Sequence, residues 1–154
     1  MTKRTPTRTT RPNPLGALAR HGQSPWFDNI SRSLLASGAL ARMIEEDGLK
    51  GVTSNPTIFE KAVSSGTDYD QAIARALAGG ERDPERIFEL IAMRDIREAA
   101  DLLLGVYEAS GGQDGFVSME VSPTLAHDTE GTVRAARRLH EEIGRKNVMI
   151  KVPA

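Results

Sequence analysis

Hydrophobic positions along this chain follow two alternating rhythms. Short apolar runs, Pro25-Trp26-Phe27-Asp28, Leu49–Thr53, Gly115–Val121 and Asn147–Pro153, are separated by longer stretches where apolar side chains return every three or four residues. The short runs predict strands and the long stretches predict helices. Their alternation predicts a parallel sheet built from four β-α units, an α/β fold. After the first strand, Ser31–Leu35 opens a helical stretch. A second helix follows Ser37-Gly38, with Leu40, Met43 and Ile44 at helical spacing and Gly48 where a C-terminal cap is expected. The second strand breaks at the loop Ser54-Asn55-Pro56, where proline stops sheet pairing and can open a helix at its first position. A helix is predicted over Asp70–Ala78, ended by Gly79-Gly80. Asp83-Pro84-Glu85 then starts a long helix over 84–109 carrying Ile87, Leu90, Ile91, Ile96, Leu102, Leu103 and Val106. Asp128 starts the last helix, with Val133, Ala136, Leu139, His140 and Ile143 on its pattern and Gly144 closing it. The fourth strand is the most apolar run in the chain, as expected of a strand covered on both faces.

Residues 1–13 lack any apolar period and carry Lys3, Arg4, Arg8 and Arg11 among Thr and Pro, so they read as a disordered, solvated basic tail. The remainder, 14–154, has the makings of one domain: 39% of the chain is hydrophobic and 27% charged. Twenty basic against 21 acidic residues give a net charge of -1, so no global field recruits nucleic acid or a membrane surface. A small molecule or another copy of the chain is the expected partner. With no cysteine, disulfides and thiolate metal sites are excluded, and a reducing cytoplasm is the expected compartment. No apolar run approaches a membrane span, and the N-terminus has no signal-peptide core.

Each predicted strand ends in a group that chemistry can use: Asp28, Asn55, Glu120 and Lys151. In a β/α barrel the C-terminal strand ends converge on one mouth, where such barrels do their chemistry. Lys151 lies among Met149, Ile150 and Val152. An amine in apolar surroundings loses its proton more readily and can attack a ketone to form an imine. A strand-end lysine that merely snorkels to water fits the same pattern. Glu120, between Met119 and Val121, and Asp28 are carboxylates able to divide the proton transfers of Schiff-base chemistry; taken singly, each also suits a helix cap or a wet surface. Asn55 before Pro56 suits a turn equally well. His21, His127 and His140 have no metal-site spacing, and Gly79-Gly80 and Gly111-Gly112 read as helix terminators.

The blocks Trp26-Phe27-Asp28-Asn29-Ile30-Ser31-Arg32, Gly51-Val52-Thr53-Ser54-Asn55-Pro56-Thr57-Ile58-Phe59, Val117–Pro123 and Val148–Ala154 resemble bacterial transaldolases in order and spacing, and the likeness runs from Asn13 to the end. That resemblance implies a (β/α)8 barrel, and a family lysine at Lys151 that forms the Schiff base with a ketose. It implies that Glu120 assists imine formation and hydrolysis with a water, that Asp28 takes a hydroxyl proton during C–C cleavage, and that Asn55 hydrogen-bonds substrate hydroxyls. The implied reaction moves a dihydroxyacetone unit from sedoheptulose 7-phosphate to glyceraldehyde 3-phosphate, giving erythrose 4-phosphate and fructose 6-phosphate, without metal or organic cofactor.

The chain departs from the family in length, since Ala154 comes three residues after Lys151 and only the first four β/α units are expected. Unpaired strand edges and an uncovered apolar face would favour self-association. A fragment of a longer gene, a half that pairs with a separate half, and a module that has lost catalysis all fit. A Schiff-base fructose 6-phosphate aldolase shares the lysine strategy but needs no acceptor. A nucleic-acid binder would depend on the basic tail and on salt.

Overall fold

The structure, a computed structural model, describes residues 13–152. The four expected strands pair in chain order and all in parallel: β1 (Trp26–Phe27), β2 (Gly51–Val52), β3 (Phe116–Glu120) and β4 (Val148–Lys151). Sequential order with helical crossovers is the winding of a β/α barrel, whereas the order of a doubly wound sheet reverses at a switch point. The strands are shorter than the apolar runs, but backbone pairing continues past them. Lys50 N–H donates to the Pro25 carbonyl and Thr53 N–H to that of Phe27, both at 2.9 Å.

Helix α1 (Pro14–Ala17) and a 3-10 turn (Leu18–His21) precede the sheet, and α2 (Arg32–Ala36) and α3 (Ala39–Glu46) join β1 to β2. Three helices join β2 to β3: α4 (Pro56–Ser64), α5 (Asp70–Ala78) and α6 (Pro84–Ala109); α7 (Thr129–Ile143) joins β3 to β4. The bounds of α5 and α6 agree with the sequence reading. Asn13, expected in the tail, belongs to the fold. Its side chain accepts from Leu15 N–H at 2.9 Å, and its amide donates to the Glu46 carbonyl at 3.0 Å and to Asp47 at 2.7 Å. The rest of the predicted tail lies outside the described residues.

Alternation along the strands divides the sheet into two faces. Val52, Val117, Met119, Val121 and Val148 are buried on one, packed against Ile96, Ala99, Ala100 and Leu103 of α6 and Leu139 and Ile143 of α7. Alanine at these helix positions lets α6 approach the sheet closely. The approach is tightest at Gly115, where φ is +83° and a β-carbon would stand 2.3 Å from the backbone nitrogen of Tyr107. Asn147, buried at the foot of β4, donates its amide to the carbonyls of Ala100 and Gly115, both at 2.8 Å, and so ties α6, β3 and β4 together.

The opposite face carries Trp26, Gly51, Thr53, Ser118, Glu120, Met149 and Lys151, and it is open: Trp26 is 38% and Met149 41% exposed. β4 is therefore covered on one side only, where its composition predicts cover on both. In a closed barrel that cover comes from strands across the axis, and the described residues form only four. Nor is the open face apolar throughout, since its upper end is polar.

On the helix side, α6 and α7 are joined by charge. Arg138 donates to both oxygens of Glu89, at 2.6 and 2.9 Å, and Arg86 bridges Glu89 at 3.0 Å and Glu142 at 2.8 Å. Burial works to raise the Glu89 carboxyl, yet the hydrogen bonds from Arg138 and Arg86 outweigh it and hold the group below its ordinary 4.5. A depressed carboxyl contributes stability that is complete above the unfolded value and fades as pH falls through the native one. Glu89→Gln is therefore expected to cost about 1–2 kcal/mol near pH 7 and almost nothing below the depressed native value. Melting curves of both proteins across the acid range check this; a constant gap would assign the loss to packing.

Candidate active site

Register brings two of the four predicted residues into contact. Glu120 and Lys151 are direct partners across the β3–β4 ladder, so both side chains leave the sheet on its open face. Lys151 Nζ lies 2.8 Å from Glu120 Oε2. A carboxylate at that distance can take a proton from the lysine nitrogen and, once protonated, return it to a neighbouring oxygen without rearrangement. The apolar enclosure expected around Lys151 is absent: its side chain is 41% exposed and that of Glu120 15%. Alternation explains this. Ile150 and Val152 leave the strand on the other face, and Met149, on the same face, is itself exposed.

Counting the register from Trp26↔Gly51↔Phe116 puts Asp28, Thr53 and Ser118 in one row, with Asn55 level with Glu120 and Lys151 two residues higher. At about 3.3 Å per residue the rows are about 7 Å apart. A hydrogen bond from Ser118 Oγ to Thr53 Oγ1 at 3.0 Å supports the lower row. Asp28 is exposed just past β1, two strands from Glu120, and is not in contact with the Lys151 pair. It lines a polar hollow of about 410 Å³ with Ser31, Ser33, Lys61 and Asp68.

Asn55 has a structural task. Its side-chain oxygen accepts from Ile58 N–H at 2.9 Å, capping α4 at the position Pro56 sets as its first residue. The turn chemistry that an Asn-Pro pair predicts is thus a helix cap, and the oxygen is engaged.

Beside Glu120 a mostly apolar cavity of about 410 Å³ is lined by Pro56, Phe88, Met119, Pro123 and Leu139. A larger hollow of about 720 Å³ lies over the Arg86–Glu89–Arg138–Glu142 network, where the charges already satisfy one another; none of the four candidate residues lines it.

Sequence reasoning passed over two polar groupings. The Thr53–Ser118 pair was available from alternation, because Ser118 and Glu120 are two residues apart in a strand and share a face. The other is a cluster around Arg32, four residues past Asp28: Arg32 donates from Nη2 and Nε to Asp95 Oδ1, at 2.8 and 3.2 Å, and its guanidinium lies 4.4 Å from the centre of the Tyr69 ring. Asp95 sits on α6 where the apolar period calls for a hydrophobic residue, between Ile91 and Ala99, and that interruption was its signal.

Residues 25–154 match the family described as Transaldolase/Fructose-6-phosphate aldolase. A transaldolase of Thiobacillus denitrificans is 53% identical over 136 residues, covering 88% of this chain and 38% of the relative. Transaldolase 2 of a Nostoc species is 48% identical over 141 residues, covering 92% and 37%, and a transaldolase of Neisseria gonorrhoeae 52% identical over 133 residues, covering 86% and 37%. The chain thus spans a little over a third of the length of the curated relatives it matches. Among the described residues no helix is long and apolar enough to cross a membrane.

Proposed function

We propose, for a chain that belongs to the transaldolase/fructose-6-phosphate aldolase family, that Lys151 is the amine of a Schiff-base site acting on ketose phosphates. The observation that carries this reading is the 2.8 Å contact between Lys151 Nζ and Glu120 on the open face of the sheet. Lys151 Nζ adds to the ketose carbonyl, and Glu120, through a water, delivers the proton with which the carbinolamine oxygen leaves. The protonated imine then withdraws electrons from the neighbouring bond. As Asp28 takes the proton of the hydroxyl two carbons from the imine carbon, the bond joining that hydroxyl-bearing carbon to the carbon next to the imine breaks. One fragment departs as an aldehyde and the electron pair enters the imine as an enamine. Covalent attachment keeps the three-carbon unit in place until an acceptor aldehyde takes it. The Asn55 amide holds substrate hydroxyls.

The substrates are then sedoheptulose 7-phosphate or fructose 6-phosphate as donors, with glyceraldehyde 3-phosphate or erythrose 4-phosphate as acceptors, in the cytoplasm. Groups that bind the phosphate, and the second half of the barrel wall, come from beyond these four units, by self-association through the edges of β1 and β4, which pair with no further strand among the described residues, or from further polypeptide. Incubation with fructose 6-phosphate followed by borohydride reduction tests the amine site. A dihydroxyacetone-sized adduct on Lys151, read by mass spectrometry, is expected. Its absence, both from this chain and from one that continues past Ala154, would remove the Schiff-base reading. A Schiff-base aldolase is the second reading, and release of free dihydroxyacetone without an acceptor would favour it.

A further inference from the structure

From its own strand, Asp28 is held only through the preceding carbonyl, that of Phe27, which accepts from Thr53 N–H at 2.9 Å. β1 has only two residues, pairs with β2 alone among the described strands, and ends at Phe27. What fixes the chain just beyond lies two to four residues away. Ile30 is fully buried, and Ser31 Oγ accepts from Leu34 N–H at 3.2 Å to start α2. Arg32 then reaches in three directions. Its backbone N–H donates to the Tyr69 hydroxyl at 2.9 Å, its Nη1 to the Asp68 carbonyl at 3.2 Å, and its Nε and Nη2 converge on Asp95 Oδ1. Asp95 is wholly buried in the middle of α6, Tyr69 is 1% exposed, and no hydrogen-bond partner reaches Asp95 Oδ2 among the described residues. Burial and the Asp95 charge both push the Tyr69 hydroxyl well above its usual range, so it stays neutral as an acceptor for Arg32.

A buried carboxylate is costly without a partner, and its arginine in turn is clamped by an aromatic ring and a carbonyl. For stability alone, apolar residues at 32, 69 and 95 would serve at least as well. What this grouping adds is direction: it pins the first residue of α2 to the turn before α5 and to α6, and with it the segment that presents Asp28. We propose that Arg32, held by Asp95 and Tyr69, is a positioning residue for Asp28. It fixes the height of that carboxylate over the open face and so governs C–C cleavage, while imine formation at Lys151 proceeds without it. This rests on the Schiff-base reading above.

Two measurements on the 154-residue chain separate the two ideas. In the first, amide hydrogen exchange of Arg32→Met, and of Tyr69→Phe in case the first variant folds poorly, is compared with the unaltered protein. Residues 26–31 are expected to exchange about tenfold faster, with β3 and β4 unchanged. No change there, or an equal loss across the whole sheet, would overturn the proposal. In the second, borohydride trapping with fructose 6-phosphate reads the size of the adduct on Lys151. The variants are expected to carry as much label as the unaltered chain, shifted from the three-carbon adduct to the uncleaved six-carbon sugar phosphate. Unshifted label would overturn the positioning role and leave the Schiff base standing. If the unaltered chain takes no label, the Schiff-base reading fails for it, and the exchange result still decides whether Arg32 holds the Asp28 segment.

Discussion

Replacing Lys151 by arginine is expected to abolish covalent trapping by fructose 6-phosphate and borohydride, a loss of at least ~10³-fold, while the melting temperature stays within about 2 °C. Guanidinium remains protonated at any pH the protein survives, so it cannot add to a carbonyl. It can still face Glu120, which lies 2.8 Å from the present ammonium. The pair contributes little to stability in any case, because the lysine side chain is 41% exposed. Mass spectrometry of the reduced protein reads the first half of this expectation and a thermal melt the second. Label persisting in Lys151→Arg would move the reactive amine to another lysine and end the assignment made here.

The largest loss of stability is expected from the smallest change, Gly115→Ala. The new β-carbon would stand 2.3 Å from Tyr107 N, 2.7 Å from its Cα and 2.8 Å from the Leu103 carbonyl, all backbone atoms of α6 that cannot swing aside. The residue would also have to keep φ at +83°, where an L side chain is strained. Separating α6 from β3 disturbs the packed face and the Asn147 bonds together, so the cost is about 3–5 kcal/mol, a large share of a domain's total stability. Gly105→Ala is the control: it lies within the same helix with nothing within 4 Å of the added carbon. It is expected to stabilise by about 1 kcal/mol through helix propensity. Denaturant melts of both variants check the opposite signs, and equal effects would mean that the contact at Gly115 is not what joins helix to sheet.

Much of this architecture can be read from the chain because the helices signal themselves locally. Asp83-Pro84 and Gly79-Gly80 set the limits of α5 and α6, and Asp128, which caps α7 by accepting from Gly131 N–H at 2.8 Å, was visible as a start signal. Strand limits were less legible. Pairing partners decide where a ladder stops, and Asn147 shows why: it prolongs an apolar run in sequence but turns its amide to Ala100 and Gly115 in space. The α1 segment left no strong pattern, since Pro14–Ala17 is a single turn whose main anchor, Asn13, bonds to residues more than thirty positions away. Of the candidate site, the pairing of Glu120 with Lys151 follows from parallel register, which composition cannot supply. Sequence neighbours do not report the exposure of Lys151, because Ile150 and Val152 in a strand point away from the residue between them. Asp95 was legible in principle, as a charge within an apolar stripe, but its neighbours Arg32 and Tyr69 come from the start of α2 and from the turn before α5.

The chain contains one tryptophan, and it lies on the open face. Its indole rests against Gly51, where a β-carbon would be 2.4 Å from the ring, so its orientation is set by the absence of a side chain on the neighbouring strand. The protein therefore carries its own optical probe of that face. Emission excited at the red edge comes from Trp26 alone, without a second indole to dilute it, and it shifts to the blue when polypeptide covers the sheet. Quenching by a small solute such as iodide then falls in proportion to the cover, which makes closure of the barrel wall a quantity that can be followed in real time in an unlabelled sample.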